Sequence, residues 1–99
     1  MADFSTVHEE SDRRIKFLLD QVGTELTRLE REEVVHFIEA REFGLALETL
    51  AGILTEEGKM ISRSVLGRID DIARLMQLRD GAFMFELHNY FDRQHTQTA

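Results

Sequence analysis

The sequence of 99 residues contains no proline and no cysteine. Without proline, long helices can run uninterrupted, and a turn-rich β architecture is disfavoured. Without cysteine, the chain can form neither a disulfide framework nor a thiolate metal site. No apolar run approaches the ~18 residues of a membrane helix. Residues 1–6 lack a basic region followed by an apolar one, so no signal peptide is predicted. These absences predict a cytoplasmic protein without a membrane segment.

Composition predicts a single globular domain. Hydrophobic residues make up 42% of the chain and charged residues 31%, which is too apolar for a disordered protein. A chain of this size buries about two-thirds of its unfolded surface in one core. We therefore expect one α-helical domain over residues 1–99, with a tail that frays at about residues 94–99.

Negative charge is in excess and unevenly distributed. The formal net charge is −7, and residues 1–60 carry all of that excess, because residues 61–99 hold equal numbers of acids and bases. An RNA or DNA backbone would be repelled, so direct nucleic-acid binding is disfavoured. A one-sided negative field would instead steer a basic protein partner. Solubility alone also explains an acidic surface, and charge by itself does not separate the two interpretations.

The spacing of apolar residues predicts an all-α fold, a compact bundle of four to five or more helices. The first predicted helix runs from residue 6 or 11 to residue 22, the second from 27 to 40–42, and the third from 43 to 57. The fourth starts after residue 62, and a short last segment follows Gly81. Capping-box spacing occurs at Thr27 with Glu30 and at Thr6 with Glu9, while Ser62 suits an N-cap. Residues 43–54 are apolar almost throughout, so we expect the third helix to be central.

The last segment fits two patterns. Phe83, Phe85 and Leu87 alternate as in a strand, but Phe83, Leu87, Tyr90 and Phe91 also fit a helix. A lone strand would have no sheet to join, so a short helix is favoured. We expect Phe17 and the pair Tyr90–Phe91 to close the core rather than to anchor an interface, since large aromatic side chains are usually buried.

Acidic residues of the second and third helices form the candidate binding surface. Spacings of seven, four and three place Glu25, Glu32, His36 and Glu39 close together on the outer side of the second helix. The candidate partner-binding residues are Glu32, Glu33, His36, Glu39, Glu48 and Glu56.

No chemistry of a catalytic or metal centre is indicated. Glu32, His36 and Glu39 could place three ligands on one helix, but a di-iron bundle needs Glu-x-x-His pairs from two helices, with the ligands buried. Adjacent acids diverge by about 100° on a helix and form no dyad. Serine or threonine catalysis would need a base and an orienting acid, and neither is evident. We predict a non-enzyme without metal or cofactor.

Residues 34–50 carry a familiar pattern. The stretch 42–50 reads EFGLALETL; Leu54, Glu57 and the pair Ile61–Ser62 follow it, and residues 69–78 continue the pattern. Over residues 13–80 the chain resembles the MafI family of bacterial immunity proteins. The stretch 42–50 itself has a structural explanation in close helix packing, so the resemblance assigns it no binding role.

The resemblance implies a function. Proteins of that family are small cytoplasmic helical inhibitors, encoded beside polymorphic toxins of contact-dependent growth inhibition, and several of the toxins are ribonucleases, including EndoU-like domains. It implies a monomer that forms a 1:1 complex and covers a basic RNA-binding cleft with its acidic surface. Two alternatives remain: a homo-oligomeric helical adaptor or scaffold, associating through the aromatic tail, and a small enzyme or metal-binding bundle.

Overall fold

The computed structural model describes residues 4–96 and shows an all-α bundle. The chain forms five α-helices with a short 3₁₀ turn, Gly23–Glu25, after the first. The helices are α1 Phe4–Val22, α2 Arg28–Glu39, α3 Phe43–Glu56, α4 Arg63–Leu75 and α5 Ala82–Thr96. Across residues 4–96, no helix combines the length and the apolar composition that crossing a bilayer requires.

Helix starts follow local capping chemistry. The hydroxyl of Thr27 accepts from the Glu30 backbone N–H at 3.1 Å, and the Glu30 carboxylate accepts from the Thr27 N–H at 2.8 Å, which completes the predicted capping box. The hydroxyl of Ser62 accepts from the Val65 N–H at 3.1 Å, as predicted. Thr6 was predicted as a cap but lies inside α1, which already begins at Phe4. Capping-box spacing also arises within helices, so spacing alone misplaced that start.

Three helices end in the same left-handed turn. Arg41, Gly58 and Gln77 have φ values of 59°, 66° and 59°. In each turn the next amide donates to a carbonyl five residues back, as Lys59 does to Leu54 at 2.9 Å. Only one of the three is glycine, so the sequence marked the end of α3 more clearly than the ends of α2 and α4. Gly81 lies at the start of α5, and its carbonyl accepts from amides of that helix.

Helix α3 is central, as its composition predicted, and packs against all four other helices. One buried cluster joins all five helices and the residue before α4. Its larger members are Ile15, Leu18, Val34, Ile38, Leu47, Leu50, Leu54, Ile61, Ile69, Ile72, Met84, Leu87 and Phe91.

Helix α5 fastens the segment that joins α3 to α4. The carbonyl of Lys59 accepts from the Tyr90 hydroxyl and from the Gln94 amide, both at 2.8 Å. Gln94 also accepts from the Ile61 N–H at 3.1 Å, and the His95 ring donates to the Ile61 carbonyl at 3.0 Å. The side chains of Gln94 and His95 bond to the neighbouring backbone in this structure, and the fraying expected from about residue 94 stays a prediction. Residues 97–99 lie outside the described part.

Candidate functional site

The outer face of α2 carries four of the six predicted binding residues. Val34 and Ile38 point into the core, so the 3.6-residue period turns the other side of the helix to solvent. We call this side the α2 face; its exposed residues are Arg28, Leu29, Glu32, Glu33, His36 and Glu39. The sequence therefore placed Glu32, His36 and Glu39 on one outer side correctly, whereas Glu25, which it grouped with them, lies in the 3₁₀ turn before α2.

Leu29 lies in the first turn of α2, at the N-terminal end of the α2 face, and was not singled out from the sequence. Its side chain is 77% exposed. Helical spacing places Leu29 beside Glu32 and Glu33, one turn onward, and two turns from His36. Single exposed leucines are common on protein surfaces. A leucine next to acidic residues, however, can make an apolar contact with a partner whose basic groups the acids attract. The sequence could have indicated this exposure, because helical spacing places Leu29 on the side of α2 away from the buried Val34.

Most of the negative charge on the α2 face is uncompensated. Glu32 pairs with Arg28 at 3.0 Å, and both side chains are largely exposed, so solvent screens the pair. Glu33 and Glu39 form no ion pair within residues 4–96. His36 contacts Phe37 edge to face, with ring centroids 5.5 Å apart. The α2 face thus presents net negative charge to a partner.

Glu30 differs from these acids because it is engaged inside the fold. A hydrogen bond from the Thr27 backbone, and then one from the Lys59 ammonium, hold the pKa of Glu30 below its ordinary value of 4.5. The Lys59 Nζ lies 3.1 Å from the Glu30 carboxylate, and both side chains are mostly buried. This pair joins the start of α2 to the end of α3, so Glu30 stabilises the fold rather than contributing to the surface charge.

The remaining two predicted residues, Glu48 and Glu56, lie on the open side of α3. Both are exposed, and Gly52 between them has open space where a Cβ would project. No hydrogen bond or ion pair in the described part links either acid to the α2 face. The structure therefore confirms their exposure but gives no contact that joins them to Glu32 or Glu39.

The predicted aromatic anchors separate into two kinds. Phe91 is buried and Tyr90 is half-buried, with its hydroxyl bonded to Lys59, so this pair closes the core as predicted. For Phe17 the prediction was wrong, because its side chain is 55% exposed. Phe17 lies outside the apolar stripe of α1, and the guanidinium of Arg68 lies over its ring, 4.6 Å from the centroid.

Around Phe17, α1 and α4 form a shallow groove of about 350 Å³, which we call the Arg68 groove. Its lining residues are Arg13, Arg14, Phe17, Arg68, Asp71 and Ile72. Arg13 and Arg14 both bind the carboxylate of Glu10, and these hydrogen bonds, Arg14 first, lower the pKa of Glu10. This groove is a cationic and aromatic surface on an acidic protein.

A larger cleft of about 660 Å³ lies where the α2–α3 turn meets the end of α4. Phe43, Leu45, Leu75 and Leu78 give it an apolar lining, and Arg41 and Gln77 also line it. The guanidinium of Arg41 lies 5.7 Å from the Phe43 ring centroid. The cleft is mainly apolar, and its charged or titratable lining residues are His8, Arg41 and Glu42.

The third polar feature is a small network between α4 and α5. The Asp70 carboxylate accepts a hydrogen bond from the His88 ring at 2.7 Å and forms an ion pair with Arg79, whose Nε lies 3.2 Å away. A carboxylate that orients a histidine is part of several catalytic sites, but catalysis also needs a nucleophile or substrate group within reach of the imidazole. Here Nε2 of His88 binds the Asp70 carboxylate, and the network connects α4 to α5.

Metal ligation has no candidate among the residues that the structure describes, since no group of three or more histidine, aspartate and glutamate side chains could hold an ion there. Glu32, His36 and Glu39 project from an exposed helix face instead of converging in a pocket. The α2 face, with Leu29 in its first turn, is therefore the candidate binding surface. Comparisons of the chain with protein-family models, curated proteins and solved structures find no match.

Proposed function

We propose that this chain is an immunity protein that acts in the cytoplasm by binding and neutralising a bacterial toxin domain, a ribonuclease of the EndoU-like type. The α2 face covers the basic substrate cleft of the toxin in a 1:1 complex. The observation that carries this proposal is Leu29, which is 77% exposed among acidic residues. The resemblance of residues 13–80 to MafI immunity proteins supports the choice of partner.

Charge on the α2 face supplies attraction and speed. A ribonuclease cleft carries lysine and arginine that bind RNA phosphates. Glu33 and Glu39 have no ion-pair partner in the described residues, so their full charge is available to replace those phosphates. Opposite potentials raise association rates well above those of neutral surfaces. Fast capture suits an inhibitor that must act before the toxin cleaves RNA.

Leu29 supplies an apolar contact, which the charged residues of the α2 face do not. An exposed leucine that enters an apolar pocket of the partner loses contact with water and slows dissociation. Glu32 and Glu33 lie one turn onward from it, and charged residues beside an apolar contact are a usual arrangement in an interface. The α2 face therefore combines negative charge, which speeds association, with an apolar side chain that is buried in the complex and slows dissociation.

The α2 face is also held rigidly. The capping box fixes the first turn of α2. Arg31 reaches back to α1, with its guanidinium 3.3 Å from the Asp20 carboxylate and 3.5 Å from the Leu19 carbonyl. A surface that is already ordered costs less conformational entropy on binding. This rigidity supports a binding role for α2 without a folding step.

The test is co-expression with the toxin domain encoded beside this chain. We expect rescue of growth and a stable 1:1 complex. The double reversal Glu32→Lys with Glu39→Lys reverses the net charge of the α2 face from negative to positive and should abolish rescue while the helical signal stays intact. Glu86→Lys, at an exposed acid of α5, is the matched control and should rescue like the wild type. Absence of a complex, or unchanged affinity of the double reversal, would overturn the proposal.

The alternative of a homo-oligomeric adaptor depended on the aromatic tail. Phe91 is buried and the Tyr90 hydroxyl is bonded within the chain, so neither is available to a second copy. Phe85 alone remains largely exposed in that segment. The tail therefore gives this alternative little support.

A further inference from the structure

We propose that the free chain associates with a second copy of itself, the Arg68 groove of one copy receiving the α2 face of the next. The acidic α2 face is the surface argued above for the toxin, but this inference is tested on the chain alone. It therefore stands or falls separately from the proposed function.

The Arg68 groove is suited to an acidic ligand with an apolar centre. Phe17 supplies an exposed aromatic ring, and Arg68 lies over it without an ion-pair partner in residues 4–96. Arg13 and Arg14 share the single carboxylate of Glu10, which leaves one of their two charges uncompensated. Arg68 and one of Arg13 and Arg14 therefore add positive charge beside the ring, and the one acid of the lining, Asp71, pairs with Arg74.

The α2 face has the opposite arrangement. Leu29 projects between Glu32 and Glu33, with Glu39 further along the same side. Seating the α2 face in the groove brings Leu29 against Phe17 and places the acids near the guanidinium groups. Each surface thus offers a large apolar side chain beside a net charge, negative on the α2 face and positive in the groove, although Arg28 lies on the face and Asp71 in the groove. Such complementarity selects a partner and fixes its orientation.

The two surfaces have no residue in common, since the groove belongs to α1 and α4 and the acidic face to α2. A single contact therefore leaves a free groove at one end and a free α2 face at the other, as in head-to-tail association. The contact also covers the α2 face. Self-association and capture of a basic protein then compete for the same surface.

Sedimentation velocity of the purified full-length chain tests this directly. We expect the weight-average mass of the wild type to rise with concentration. Arg68→Glu changes the charge of the Arg68 groove only, and the double reversal Glu32→Lys with Glu39→Lys changes the charge of the α2 face only. Each of these two variants should therefore remain monomeric by itself. An equimolar mixture should form a 1:1 heterodimer, because one variant keeps an intact face and the other an intact groove.

Two exposed residues of α5 give matched controls. Arg93→Glu makes the same charge change as Arg68→Glu, and Glu86→Lys reverses an acid outside the α2 face; both should associate like the wild type. Phe17→Ala keeps the charge of the groove and should still lose association, which covers the case of an unfolded Arg68→Glu protein. A wild type that stays monomeric at all concentrations would overturn the inference. A mixture that fails to pair, or controls that lose association equally, would do the same.

The toxin experiment separates the two proposals. Arg68→Glu leaves the α2 face intact and should bind the toxin domain like the wild type. Loss of self-association without loss of toxin binding assigns the two contacts to different surfaces. If the chain self-associates but binds no toxin, the proposed function fails and this inference stands.

Discussion

Replacement of Leu29 by alanine is the sharpest test of the α2 face. Burying a whole leucine side chain gives about 1.5–3 kcal/mol. Leu29 is 77% exposed, and alanine retains part of its surface, so the complex should lose about 1–2 kcal/mol of binding free energy. That loss corresponds to about a 5-fold to 30-fold rise in Kd. Isothermal titration with the toxin domain at fixed ionic strength measures it.

The stability of the free chain should hardly change, because exposed substitutions stay within about 0.5 kcal/mol. Thermal denaturation of Leu29→Ala checks this point. Met60→Ala is the matched control, since Met60 is another largely exposed apolar side chain, located before α4. Its affinity should equal that of the wild type. Leu29→Ala binding within about twofold of the wild type would refute the idea that Leu29 anchors the partner.

Four further predictions concern the fold. Leu50→Ala should cost about 2–5 kcal/mol in urea denaturation, because Leu50 is fully buried in α3; a smaller loss would show that the core closes over the cavity. Gly52→Ala should raise stability by about 0.5–1 kcal/mol, since space is open for its Cβ; destabilisation would contradict that geometry. Gln94→Ala should cost about 1–3 kcal/mol of stability, more than Tyr90→Phe, because only Gln94→Ala leaves a backbone N–H unpaired; equal losses for the two variants would argue against the hydrogen bond from the Ile61 N–H to Gln94. Glu30→Gln should lower Tm at neutral pH, and its difference from the wild type should shrink as pH falls below 4.5, since a lowered pKa stabilises the fold only while the carboxylate is ionised; a difference constant in pH would contradict this.

Local chemistry explains which parts of the fold could be read from the sequence. Thr27 with Glu30, and Ser62, form their caps from atoms at most three residues apart, so short spacing was sufficient. The composition of residues 43–54 likewise predicted a central helix. Arg41 and Gln77 adopt left-handed turns that usually favour glycine, so the residue types there gave no signal of a helix end.

Long-range contacts explain what the sequence could not show. Gln94 bonds to a segment 33 and 35 residues earlier in the chain, and no periodicity within α5 indicates that pairing. Phe17 is exposed because it lies outside the apolar stripe of α1, and the Arg68 guanidinium that lies over its ring comes from another helix. The usual burial of aromatic residues therefore gave the wrong answer there, and the groove around Phe17 was missed with it.

Charge counting also overstated the candidate surface. The excess of acids in residues 1–60 includes Glu10 and Glu30, yet both carboxylates are engaged by cations of the fold, and both have a lowered pKa. Glu33 and Glu39 have the same sign and lie on the same stretch of chain, but they face solvent without an ion-pair partner in the described residues. Only three-dimensional contacts distinguish these two kinds of acid. A binding surface on this chain is therefore better defined by the exposed Leu29 among unpaired acids than by the net charge.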